Sequence, residues 1–185
     1  MRALPLLCRA ALLAAALPLH AAPAHQHGVA ALNVAVEDDR LHVTLEAPLD
    51  SLVGFEHPAR TPAEQHAVRD AAARLRDAAT LFVTPAAARC RLESVRLASP
   101  AASPALLGET AATSAATPHA HAEAAGHADL DGEFHFRCAA PAALRGLEVN
   151  LFAAFPRLRT LDVQVAAGEH QRGARLTPAG RRLVW

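Results

Sequence analysis

The sequence contains no lysine; its 18 basic residues are all arginine, set against 18 acidic ones. An Ala/Arg-rich codon bias accounts for that absence, and no function is read from it. Aromatic residues make up only 4% of the chain. With no basic stripe and no aromatic stacking pattern, nucleic acid is excluded as a partner. No apolar run is long enough to span a bilayer, since the main block covers only Ala10–Leu17. Recognisable catalytic motifs are missing too. There is no strand–turn–helix nucleophile elbow, no phosphate-cradling glycine loop and no His-Glu-x-x-His zinc helix. The chain is therefore expected not to be an enzyme.

What is present begins with the N-terminus. Arg2 and Arg9 flank a short apolar block that runs into small residues, the pattern of a secretory signal peptide. Ala22 at −3 and Ala24 at −1 make the best cut the one after residue 24, and a cut after Ala21 also fits. The mature chain, 25–185, is one domain's worth of sequence with a net charge of −2. It is expected to be exported, with no membrane anchor. Loss of the leader removes Cys8 and leaves Cys90 and Cys138. In an oxidising compartment such a pair is most simply a disulfide, with free thiols serving as metal ligands the rival reading. The bridge would close a loop of about 49 residues, a constraint of about 4 kcal/mol in the chain-entropy model.

Periodicity gives the organisation. Ala30, Leu32, Val34 and Val36 alternate, "EDDR" turns the chain, and Leu41, Val43 and Leu45 alternate again: a β-hairpin. Thr61 as N-cap, Pro62 at N1 and Glu64 at N3 open a helix with a capping box. Its core face is Val68, Ala71, Ala72, Leu75 and Ala79; Arg69, Asp70, Arg74, Arg76 and Asp77 form a solvated face. "ARCRLESVRL" is a strand. Residues 98–127 lose periodicity and are too poor in large apolar side chains to order themselves, so a mobile loop is expected there. In "HADLDGEFHFRC", Leu130, Phe134, Phe136 and Cys138 point one way, and Asp129, Asp131, Glu133 and His135 the other. "LRGLEVNLFAAFPRLRTLDVQVAA" reads as two strands around a turn near Pro156, and a short strand ends the chain. Strands arrive as neighbouring hairpins, so the expected fold is α+β: mainly antiparallel sheet, one long helix, a disulfide and a long His-bearing loop.

Metal binding is the chemistry best supported by the residues. His119, His121, Glu123 and His127 share one segment, and imidazole and carboxylate are good Zn²⁺ ligands. Asp129 and His135 follow on one strand face and are candidates to complete the set. A flexible loop loses entropy on closing around an ion, which favours capture and release over a permanent structural site. A second cluster is His25 and His27 in "HQHG". A free amine with histidine at position three suits Cu²⁺ or Ni²⁺ in a square plane. His57, beside Glu56 in "GFEHP", is a further candidate, with fixing the loop before the helix the favoured alternative role. The competing reading is a secreted structural or interaction domain whose linker carries histidine incidentally.

"HQHGVAALNVAVEDDRLHVTLEAPLDSLVGFEHPARTPAE", the His-bearing central segment, "HADLDGEFHFRC" and "LEVNLFAAFPRLRTLDVQV" together resemble the ZrgA-like zinc-regulated periplasmic proteins. The resemblance spans essentially the whole mature chain, most specifically at His-Gly, Gly-Phe-Glu-His-Pro and Phe-Pro. It implies a Gram-negative periplasmic protein that binds Zn²⁺ and supports zinc uptake near an ABC-type importer. The family's metal loop maps onto His119, His121, Glu123 and His127.

Overall fold

The computed structural model describes residues 26–110 and 128–185. Strands β1 (Val29–Glu37) and β2 (Arg40–Pro48) form the expected hairpin, closed by a two-residue turn in which Asp38 takes φ 52°. Asp tolerates that left-handed position better than most residues. A short helix α1 (Leu49–Val53) follows, then α2 (Pro62–Arg76). Thr61 caps α2 as expected: its side chain accepts from Glu64 N at 3.2 Å, and the Glu64 carboxylate accepts from Thr61 N at 3.0 Å and Arg60 N at 2.7 Å. Those backbone donors hold the Glu64 carboxyl below its ordinary value.

α2 stops at Arg76, and a separate turn of helix α3 (Ala78–Leu81) leads into β3 (Phe82–Val83). The break rotates the chain, so Ala78 is buried where the continuous helix expected Ala79. Arg76 also departs from the solvated face assigned to it. Its guanidinium donates to Leu107 O and Val95 O and pairs with Glu109.

Strands β4 (Cys90–Ala98) and β5 (Asp129–Cys138) pair antiparallel. The register shifts between Leu92 and Ser94, a bulge that changes which residues face inward. Cys90 and Leu92 pack on the core before it, Val95 and Leu97 after it. Residues 99–110, expected to belong to the unordered loop, instead form turns. Ala101, Ala102 and Leu107 are buried, and Glu109 accepts from Leu97 N at 2.8 Å. One apolar anchor and one ion pair achieve what composition had not promised. Residues 111–127 lie outside the described part.

The C-terminal third holds β6 (Gly146–Val149), α4 (Leu151–Ala154), β7 (Thr160–Ala167), β8 (His170–Leu176) and β9 (Arg182–Val184). Both strands expected around Pro156 are present, but they do not pair with each other. β6 joins β3 and β9 in a three-stranded sheet, whereas β7 enters the main sheet, whose order is β4-β5-β2-β1-β7-β8. Within that sheet only β1 and β7 run parallel.

One core joins the inner face of the six-stranded sheet to α2 and the smaller sheet. The Phe82 and Phe134 rings meet at 4.9 Å between centroids across that junction. Gly132 lies under the Phe134 ring, where a Cβ would come within 2.8 Å of it, so the aromatic fills the space a side chain would take. The outer face of the sheet is polar and carries His42, Thr44, Glu133, His135 and Gln164. Cys90 and Cys138 are register partners joined by a disulfide, S–S 2.01 Å, across 48 residues of sequence. The bond removes the thiol-ligand alternative.

Candidate metal centre

Three elements start or stop at one end of the main sheet: β1 at Val29, β2 at Pro48 and β5 at Asp129, which is the register partner of Pro48. His27 sits there. Gly28 fixes its position, with φ 80°, its N–H donating to the fully buried Ser51 Oγ at 2.9 Å and its carbonyl accepting from Arg159 N and Thr160 N. A Cβ on residue 28 would lie 3.1 Å from Arg157 O, so the glycine is needed for both its angle and its size. The His27 ring then faces two carboxylates. Nε2 is 2.9 Å from Glu56 Oε1, and Nδ1 is 3.6 Å from Asp50 Oδ2. His57, three residues past Gly54, instead stacks on Phe55 with centroids 5.0 Å apart, and its Nδ1 lies 3.1 Å from Pro58 O.

The second group is on the outer face of the sheet. His42 of β2 and His135 of β5 are register partners, and their Nδ1 atoms are 2.7 Å apart. The rings meet edge to face, centroids 4.6 Å apart at 90°. Glu133 Oε2 lies 4.0 Å from His135 Nε2 and 3.5 Å from Arg96 Nη1. Partial burial pushes the His135 imidazole below its ordinary value, and the His42 ring pushes the same way. A neutral His135 is the form able to offer a lone pair.

The candidate residues therefore fall in separate places. Asp129 and His135 share a strand face, as expected, but six residues of extended chain hold them about 20 Å apart, so they do not complete one ion's shell together. His25, His119, His121, Glu123 and His127 lie outside the described residues. Among the described residues, no three His, Cys, Asp or Glu side chains gather as a group that could hold a metal. Sequence reasoning missed His42, because nothing in one strand's pattern announces its neighbour's register. It also passed over Asp50 as a partner of His27, since the two meet only through the β1 and α1 ends.

Site and fold together define a disulfide-stapled, sheet-rich α+β domain with imidazoles paired to carboxylates or to each other at its surface. The family model of ZrgA family zinc uptake proteins matches residues 24–185, and the chain belongs to that family. No curated protein matches it.

Proposed function

We propose that this protein is a periplasmic zinc-binding accessory protein that captures or buffers Zn²⁺ and supports its uptake through an ABC-type importer. Zinc is its cargo. The observation that carries the reading is membership of a zinc uptake family over nearly the whole chain. His119, His121, Glu123 and His127 all fall in the connection between β4 and β5, adjacent strands that a disulfide staples together. Imidazole and carboxylate match the borderline character of Zn²⁺. His27, with Glu56 at 2.9 Å, supplies a further pair of the same ligand types at the start of β1. The alternative is a square-planar Cu²⁺ or Ni²⁺ site at His25 and His27, which needs the α-amine that cleavage after residue 24 would free.

Calorimetric titration of residues 25–185 with Zn²⁺, beside the variant H119A/H121A/H127A, tests the loop's part. Loss of at least one zinc equivalent in the variant is expected. Unchanged stoichiometry and affinity would instead leave the loop histidines as incidental features of a structural or interaction domain.

A further inference from the structure

We infer that His42 and His135 form a Zn²⁺ site of their own on the outer face of the main sheet, built from the Nδ1 atoms of the two rings. The inference rests on the reading that this chain handles zinc, but not on the loop between β4 and β5.

Three features of the pair carry it. The first is convergence: two register partners on adjacent strands aim the same ring atom at one another, 2.7 Å apart. Two neutral imidazoles satisfy that contact only when one ring carries the proton on Nδ1 and the other a lone pair. A cation replaces the shared proton. Zn–N bonds of 2.0–2.1 Å in a tetrahedron place two ligand nitrogens about 3.3 Å apart, so a small opening of the rings admits the ion.

The second feature is orientation. Glu133 Oε2 lies 4.0 Å from His135 Nε2, the ring nitrogen not turned to His42. A carboxylate there favours the proton on Nε2, which frees Nδ1 as the ligand. At 4.0 Å the two are not hydrogen-bonded, so the carboxylate acts through its charge, a longer-range counterpart of the carboxylate–histidine–metal arrangement that orients imidazole ligands. Arg96, 3.5 Å from Glu133 Oε2, holds the carboxylate in turn and has its own charge offset by it.

The third feature is the setting. β2 and β5 both lie inside the sheet, flanked by β1 and β4, so the two ligands stand on backbone that is paired on both sides. Above them opens a depression of about 330 Å³, bordered by Arg40, Glu93, Ser94 and Arg96. It leaves room for water to fill the remaining coordination positions. Two protein nitrogens and an open side make an exchangeable site, suited to passing an ion on rather than keeping it.

The test is ¹⁵N NMR of the histidine side chains during Zn²⁺ titration of residues 25–185, with calorimetric stoichiometry alongside. Zinc is expected to move the Nδ1 resonances of both His42 and His135, and H42Q is expected to lose one equivalent. Both effects should persist in H119A/H121A/H127A. Nδ1 resonances that stay put at saturating zinc overturn the inference, as does wild-type stoichiometry in a folded H42Q. Where circular dichroism shows H42Q unfolded, the resonances of the unsubstituted chain decide. If the loop variant loses all zinc, the sheet site is overturned while the zinc-handling reading stands. If the loop variant binds fully and H42Q does not, the sheet site stands and the loop's role falls.

Discussion

Cys90 and Cys138 face each other as the outermost register pair of β4 and β5, and their sulfurs are bonded. The bond closes a loop that includes the whole connection carrying the candidate zinc ligands. C90S/C138S should therefore lose about 4 kcal/mol of stability. Urea unfolding of the oxidised chain and the variant measures the difference.

His135 makes stability depend on pH in the metal-free protein. Its imidazole is held below its ordinary value of 6.5 in the fold, by burial first and the His42 ring second. The unfolded chain therefore takes up this proton first as pH falls. The contribution is fully present above the ordinary value and is lost as pH drops towards the lowered one. The urea midpoint measured in chelator should fall between pH 7.5 and pH 5.5, and fall less in H135Q.

Glu109 is the hinge of the packed stretch after β4. It pairs with Arg76 and accepts from Leu97 N at 2.8 Å, with its side chain 6% exposed. Glu109→Ala strands the Leu97 backbone donor and takes the counter-charge from Arg76, whose guanidinium keeps only the Leu107 and Val95 carbonyls, and a cost of about 2 kcal/mol is expected. Hydrogen exchange at Leu97 N should rise with it, a local readout separate from global stability.

The α2 cap is a purely local device. Thr61→Ala removes the acceptor for Glu64 N and should cost about 1 kcal/mol by thermal or chemical unfolding. Zinc stoichiometry should not change, because neither residue belongs to a candidate site.

Features written within a few residues were legible in the sequence. The β1–β2 hairpin, the Thr61–Glu64 cap and the outward face of β5 all follow from spacing alone. What was not legible depended on partners far along the chain. β6 and β7 read as neighbours around Pro156, yet they serve different sheets, because β7 finds β1 and β6 finds β3. The order of residues 99–110 comes from Leu107 and Glu109 reaching Arg76, a contact no composition shows. The site divides the same way. Individual histidines were visible as ligands, but the His42–His135 pairing is a statement about register between strands 93 residues apart in that contact.

The parallel pairing of β1 with β7 sets the order in which the sheet is finished. Val29 is matched to Thr160 and Val36 to Ala167. A chain delivered N-terminus first can lay β1 on β2, add β5 and β4, and oxidise its cysteines while the far edge of β1 is still bare. That edge stays a row of unpaired backbone groups until β7 arrives, a non-local step of the slow kind. Until then the half-built sheet is exposed to strand addition from another molecule. A chain cut short before residue 160 would leave that edge of β1 without its partner strand.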